Sequence, residues 1–404
     1  IHISRATLQD TNINLTNCRL YNWNTAGLLV QNAKNNIFSN IASNRTPFAS
    51  YGINLNNAHN NSFTNISTHQ NGYGWYIYNS NNNSFSVIAS SSNAYYGIYA
   101  YSSSQNRFID VNVTANRNGG LLGTYVQNST FRNIIAVNDS YGLYLTNTYN
   151  NDVSNLSASR NYYGIIHYFS NNNTFTSLDL ALNTYGGLYS YQGSNSTFRD
   201  VNARNNTYGI YFYRADRNTF VNVTSSKNGY GVLAYYSNNN TITNSTIASN
   251  YYYGIYLYQT AKNLIHNNLI NNSNNFNLVS VQDRWNGTRV NGTNIVLGTT
   301  LGGNFWATPA KNGFSQTCAD TNGDGICDAT YHLNGQNRDL LPLTFFNDTI
   351  LPQSTLRSPK NNSYINGIVP LQANASDNTA VAYVFFQYTN TSEWVNITGC
   401  TRTS

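Results

Sequence analysis

The chain has 404 residues, of which 9% are charged and 14% aromatic, with no methionine and a formal charge of +6. That length accommodates a long solenoid plus one or two small modules. Lys and Arg are spread too thinly for a clustered nucleic-acid or anionic-membrane surface, and no stretch is long and apolar enough to span a bilayer.

The first residues, Ile-His-Ile-Ser-Arg, lack the charged-then-apolar build of a signal peptide, and position 1 is not Met. A processed or fragmentary chain is therefore expected. Residues 1–26 read as degenerate repeats, with Ile13, Leu15 and Leu20 as apolar marks. From Gly27 onward a unit of about 22 residues recurs, seen cleanly at Asn206–Phe220 and Asn228–Ile242. Its eleven glycines are Gly27, Gly52, Gly74, Gly97, Gly120, Gly142, Gly164, Gly187, Gly209, Gly231 and Gly254. Eleven residues after each stands a large apolar residue, from Phe38 and Phe63 through Val153 and Phe220 to Ile265. All variation in repeat length, 22 to 25, falls between that residue and the next glycine. A fixed period of this size marks a solenoid.

After each glycine the apolar residues alternate, as in Ile98 and Ala100 or Ile210 and Phe212, which is strand periodicity. The filler is Asn, Ser, Thr, Gly and Tyr, mostly poor helix formers. In the second strand the apolar phase slips by one, from Phe63 to Ile66 or Phe220 to Val223. At the slip stand Asn65, Asn133, Asn155, Asn222 and Asn244, residues that tolerate the left-handed conformation of a corner. Each repeat is thus one rung of a parallel β-helix, right-handed by the crossover rule. At about 4.8 Å per rung, eleven rungs make a rod of roughly 50 Å. The chain is all-β: a β-helix over 1–300, a closing block over 301–346, and over 347–404 a partial immunoglobulin-like sandwich. Regular repeats occupy 27–270, with Phe276–Leu278 and Ile295–Leu297 as last rungs. Ile368-Val369, Leu371, Ala373, Val381 and Tyr383–Phe386 alternate like sandwich strands. Such a sandwich needs about 100 residues. Truncation is the preferred account of the shortfall, and strands supplied by a neighbouring subunit the alternative.

In the closing block, Asp320-Thr321-Asn322-Gly323-Asp324-Gly325-Ile326-Cys327-Asp328 has the spacing of a calcium loop. Asp320, Asn322, Asp324 and Asp328 would supply side-chain oxygens and Ile326 its carbonyl. Position 12 is Tyr331, not an acid, so a distant residue such as Asp339 would have to close the site. Cys318 and Cys327 are spaced to staple this loop, which points to an oxidising, extracellular setting; two free thiols are the alternative. Cys18 and Cys400 have no assigned pairing.

Asn-x-Ser/Thr sequons number 23. Those expected to carry N-linked glycans include Asn14, Asn44, Asn65, Asn112, Asn138, Asn205, Asn286, Asn291, Asn347, Asn374 and Asn396. Glycoside hydrolysis requires two acids roughly 5–10 Å apart, yet no two adjacent rungs align acids: Asp110 and Asp200 share a column but lie four rungs apart. The histidines (His2, His59, His69, His167, His266, His332) are isolated. No catalytic residue is expected. If the first and third residues after each glycine point inward, the second and fourth point outward. Those positions hold Tyr76, Tyr78, Tyr99, Tyr101, Tyr144, Tyr189, Tyr191, Tyr211, Tyr213, Tyr256 and Tyr258. Two tyrosine columns would form a flat aromatic face, suited to another protein surface or to sugar rings. Stacking within the sheet itself is the alternative.

The Asn-Asn-x-Phe and Tyr-Gly-Ile-Tyr repeats resemble NosD-like right-handed β-helix surface proteins, also called carbohydrate-binding and sugar-hydrolysis repeats, which are abundant in archaeal envelopes. Gly302-Gly303-Asn304-Phe305-Trp306, Asp320–Asp328 and Asp339-Leu340-Leu341-Pro342-Leu343 look like the block that closes such helices. The resemblance covers residues 1–345, and 347–404 looks like an archaeal surface immunoglobulin-like repeat. The family name implies copper delivery, for which this sequence offers neither methionine nor clustered His or Cys. The resemblance implies a secreted, glycosylated envelope protein. The expectation is a non-enzymatic structural subunit of a surface layer, sheath or filament, partnered by itself, by other envelope proteins or by a polysaccharide. A carbohydrate-binding adhesin is the alternative, and a polysaccharide-degrading enzyme comes third.

Overall fold

The recurring glycine is required by close approach, not by backbone conformation. In the computed structural model a Cβ on Gly164 would lie 2.6 Å from the Gly187 carbonyl of the next rung and 3.0 Å from the Asn183 amide. Only a residue without a side chain lets the rungs stack there. The structure describes residues 2–4, 12–48, 50–345, 353–360, 362–376, 386–390 and 393–396.

The described residues form a parallel β-solenoid of two long sheets. The first holds thirteen strands, including Ala26–Gln31, Tyr96–Tyr101, Tyr208–Tyr213 and Phe276–Val279. The second is built from longer strands such as Arg107–Thr114, Thr197–Arg204 and Thr219–Ser226. Neighbouring rungs pair in parallel and in register, so like stacks on like: Phe198 opposite Phe220, Tyr213 opposite Tyr235. The phase slip is a bend, with φ of +53° at Asn65, +55° at Asn133, +52° at Asn155, +56° at Asn222 and +52° at Asn244. Each regular rung has further left-handed corners that the sequence did not announce. In one rung they fall on Arg214, Arg217 and Lys227, and elsewhere on Phe169 and Leu182. Non-glycine residues in this region are strained, and the ladder pairing on both sides holds them there.

Phenylalanines stack along the axis with nearly parallel rings: Phe38–Phe63 at 4.6 Å, Phe85–Phe108 at 4.7 Å, Phe198–Phe220 at 4.7 Å. Beside this apolar column run two buried ladders of asparagine. In one, Asn161, Asn183, Asn206, Asn228 and Asn250 each accept, through Oδ1, the backbone N–H of the preceding member. Their amides donate to strand carbonyls, as Asn183 does to Ala158 and Asn228 to Ala203. The ladders satisfy the backbone groups that each corner leaves unpaired, the requirement that makes Asn irreplaceable by an apolar residue.

Phe305–Ala307 continues the second sheet by pairing with Leu269–Asn271. Below it the closing block packs Trp285 and Trp306, both fully buried. The Asp339 carboxylate accepts from the Asn304 backbone at 2.7 Å, the Trp306 indole at 2.9 Å and the Leu341 backbone at 3.1 Å. Gly303 lies against this carboxylate with no room for a Cβ. Toward the C-terminus two antiparallel pairs, Gln353–Ser358 with Gln372–Ser376 and Gln387–Asn390 with Glu393–Asn396, are compatible with part of a sandwich. The expected strand residues 381–385 lie outside the described residues, as do Asn347 and Cys400.

Candidate functional site

The first sheet carries no Asp, Glu, Lys or Arg on any of its described strands, and tyrosine is the commonest residue on its outer surface. Alternation places Ile98 and Ala100 in the core and Tyr99 and Tyr101 outside. All eleven expected tyrosines lie on this sheet, in two columns. A third column, Tyr51, Tyr73, Tyr96, Tyr141, Tyr163, Tyr208, Tyr230 and Tyr253, escaped the sequence analysis. Its signal was a tyrosine immediately before eight of the eleven aligned glycines.

The face differs from a row of free rings. Of the eleven, only Tyr78 is exposed, at 39%; the others are half-buried against one another. Gly119 and Gly186 take tyrosine's place in the third column, and Tyr96 and Tyr163 lean over them, within 3.2 Å of where a Cβ would stand. The rung Gly119–Thr124, with Leu122 and Thr124 outward, splits the aromatic surface into two patches. In the longer one a ribbon runs from Tyr168 to Tyr191 (4.7 Å between ring centres), Tyr213 (5.3 Å), Tyr235 (6.5 Å) and Tyr258 (5.4 Å). Tyr189 and Tyr211 pack alongside at 4.9 Å. Burial, then the neighbouring phenols, push Tyr76, Tyr96 and Tyr208 up to about 12 and raise Tyr163, Tyr189 and Tyr211. These six phenols are uncharged at neutral pH, each hydroxyl a donor and an acceptor. At its edge Arg214 sits over the rings of Tyr213 and Tyr236, at 5.5 and 5.8 Å.

The acids are dispersed. Asp110 and Asp200 occupy corners and accept from Asn133 and Asn222 one rung on, each at 2.6 Å. Asp179, on the second sheet, accepts from Asn202 at 2.9 Å and pairs with Arg204 at 3.3 Å. Asp139 is buried within an asparagine ladder.

In the expected calcium loop the carboxylates turn back onto their own backbone. Asp320 accepts from the N–H groups of Asp324 (3.1 Å) and Gly325 (2.9 Å), and Asn322 from Asp324 (3.2 Å). Asp324 accepts from Ile326 (2.9 Å) and Asp328 from Thr321 (3.1 Å). Arg289 takes the other Asp324 oxygen. Asp339 does not close the loop, because its oxygens are spent on Asn304, Trp306 and Leu341. Among the described residues no three His, Cys, Asp or Glu converge as a metal site. Cys318 and Cys327 are joined, with Cα atoms 5.6 Å apart.

Of the sequon asparagines, Asn14, Asn65, Asn112, Asn138, Asn205, Asn291 and Asn374 are exposed, while Asn44 and Asn286 are half-buried. The side chain of Asn396 lies outside what is described. No sequon asparagine falls on the strands of the tyrosine sheet.

The profile of the periplasmic copper-binding protein (NosD) family matches residues 110–311, and that of the right-handed β-helix region matches 6–158. A search of curated proteins finds no match. Among solved structures, similarity extends to a double mutant of a periplasmic alginate epimerase (13% identity, TM-score 0.45, covering 70% of this chain and 76% of that one). It extends also to the A-module of a mannuronan C-5 epimerase from Azotobacter vinelandii (13%, 0.39, 67% and 87%) and to the catalytic domain of a GH87 α-1,3-glucanase in complex with tetrasaccharides (12%, 0.39, 70% and 64%). Likeness at this level is likeness of fold. Against the expectation of a non-enzymatic structural subunit, which is corrected here, the solved β-helices found similar are named as carbohydrate-acting enzymes.

The residues present do not fit copper, which favours thiolate, thioether and imidazole donors. His167 is fully buried; its Nε2 accepts from the Asn173 amide, so Nδ1 carries the proton toward Ser190. Burial lowers its pKa to about 3. Both ring nitrogens of His59 are engaged, by Asn57 and by the Asn81 backbone. Cys318 and Cys327 are consumed in their disulfide.

Proposed function

We propose, since the chain belongs to the NosD family and is built as a right-handed β-helix, that its tyrosine sheet binds an extended polysaccharide lying along the rod. The observation that carries this reading is the ribbon from Tyr168 to Tyr258, five outward rings on five successive rungs. Rungs recur at about 4.8 Å, comparable to the residue repeat of an extended pyranose polymer, so successive sugars meet equivalent rings. Neutral phenols offer apolar faces to C–H surfaces and hydroxyls to sugar hydroxyls. The absence of sequons on this sheet keeps it free of the chain's own glycans. A periplasmic or extracellular setting follows from the family description and the disulfide; no helix among the described residues is long and apolar enough to cross a membrane. Binding of neutral and acidic glycans on an array tests the reading, with Tyr191→Ala/Tyr213→Ala as the variant. Loss of binding in the variant is expected; wild-type protein that binds no glycan, or a variant that binds as well, would overturn it.

A second reading, action on a polysaccharide, lays the polymer on the second sheet instead, over Asp179, a partly exposed carboxylate held by Arg204 and Asn202 on the adjacent rung. It predicts new reducing ends or altered sugars from a bound polymer, abolished in Asp179→Asn.

The Asp320–Asp328 loop is proposed to take calcium through Asp320, Asn322, Asp324, Asp328 and the Ile326 carbonyl, which requires Arg289 to release Asp324. N-linked glycans are proposed at the exposed sequons.

A further inference from the structure

We infer that the polymer taken by the tyrosine sheet is anionic, its acid groups read by Arg214 at the sheet's edge; this rests on the polysaccharide reading above. The sheet carries no carboxylate to repel an anion, and the charge that meets its longer patch is a guanidinium. Arg214 is exposed, its backbone fixed at a left-handed corner with φ of +52°. Its side chain is supported on two rings, Tyr213 at 5.5 Å and Tyr236 at 5.8 Å. No ion pair found among the described residues involves it. The nearby acid, Asp216, directs one oxygen to the Asn238 backbone at 2.7 Å instead. Arg217 stands one corner further, its Nε on Asn195.

A guanidinium lying on aromatic faces keeps its N–H donors at the rim, in the plane where a carboxylate or sulfate meets them two at a time. Its side chain is pre-positioned by the rings, so less rotamer freedom is lost on binding. A neutral polymer would offer this charge hydroxyl acceptors but no opposite charge. The wider balance agrees. Residues 1–300 hold sixteen Lys or Arg against eight Asp, while the remaining residues hold five against seven acids. The positive excess of the chain therefore belongs to the rod. Spread along it, such an excess draws a polyanion toward the surface without a local cluster.

The test compares polygalacturonate with its methyl ester, one backbone with and without charge, by affinity electrophoresis of the full chain. Polygalacturonate is expected to bind about tenfold more tightly, a difference of about 1.4 kcal/mol, and to weaken as NaCl rises. Arg214→Gln should remove that margin and leave binding of the methyl ester unchanged, whereas Arg132→Gln on the second sheet should alter neither. Dextran sulfate bound with the same dependence on Arg214 would make the acid a sulfate and support the anionic inference. Equal binding of acid and ester overturns the inference and leaves the polysaccharide reading standing. An equal effect of Arg132→Gln overturns the role of Arg214. Binding of neither polymer also overturns the inference; binding of neutral glycans on the array then shows whether the broader reading survives.

Discussion

Each of the two internal asparagine ladders holds one acid, and the comparison shows what an acid costs in each place. The first runs from Thr46 through Asn71, Asn93 and Asn116 to Asp139, then on through Asn161 to Asn272. The second runs from Asn36 through Asn61, Asn83, Asn106 and Ser129 to Asn263 and Asp283, whose backbone N–H passes on to Asn337. In this second ladder a carboxylate is apt: Asp283 accepts from the backbone and amide of Asn263 at 2.8 and 3.0 Å, and from Thr260 at 2.7 Å, so both oxygens have donors. In the first it is not. Asp139 Oδ1 accepts from Asn116, but Oδ2, standing where every Asn carries an amide, has no partner and is buried. The lesson is local: a carboxylate suits a ladder step only where a neighbour such as Thr260 supplies a donor to its second oxygen.

Removing an interior step should have the largest effect. Asn228→Ala strands the buried backbone N–H of Asn206 and the buried Ala203 carbonyl, and leaves the Asn206 amide with Leu180 alone. With each orphan costing 1–3 kcal/mol, a loss of about 5 kcal/mol is expected, read as a lower midpoint in denaturant. Rungs bind only their neighbours, so the loss should appear first as local unfolding, with amide exchange accelerated around that rung.

Restoring the missing donor should do the reverse, with a pH dependence that identifies the cause. Burial lifts Asp139 to about 7 in the fold, against 3.8 when exposed. The folded state therefore holds a proton that the unfolded chain gives up between those values. Stability is fully present below about 4, declines as pH rises toward about 7, and is level beyond. Asp139→Asn should match wild type at acid pH and exceed it at pH 8 by up to about 4 kcal/mol. An equal gain at all pH values would show that the carboxylate is not the source. Asp283→Asn is the control. Its pKa is also raised, by burial and against three donors, but its oxygens are satisfied, so a change within about 1 kcal/mol is expected.

How far this was legible follows from the same ladders. Strand alternation and the fixed step from glycine to phenylalanine are one-dimensional signals, and they located the sheets, the core and the outward tyrosines. Asn65, Asn133, Asn155, Asn222 and Asn244 were legible as corners because an apolar phase slip flagged them. The other corners were not, because Arg, Lys, Phe and Leu at positive φ are placed by neighbouring rungs, not by their own preference. The ladders hid in plain composition: Asn183 and Asn228 read as polar filler, and only rung-to-rung contact shows that they are buried. The third tyrosine column and Arg214 were in the repeat alignment, but their meaning depends on which residues share an edge. The non-enzymatic reading weighed stacked acids and isolated histidines, and did not weigh Asp179, which meets Asn202 and Arg204 of the next rung.

The smallest effect should come from an acid outside any ladder. Asp324 shares its oxygens between its own loop and Arg289, whose side chain is 53% exposed. A pair so open to solvent contributes little, so Arg289→Ala should change stability by less than about 1 kcal/mol. Its informative consequence concerns calcium. If the loop takes the ion, the guanidinium and the cation compete for one carboxylate, and Arg289→Ala should tighten calcium binding measured by titration calorimetry. Wild type should then gain thermal stability with calcium and lose it on chelation, and the variant should respond at lower concentration. A loop whose carboxylates are committed to their own backbone, as those of Asp283 and Asp339 are to their donors, would show neither response. That outcome would place Asp320–Asp328 with Asp283 and Asp339, as acids that close structure rather than hold a metal.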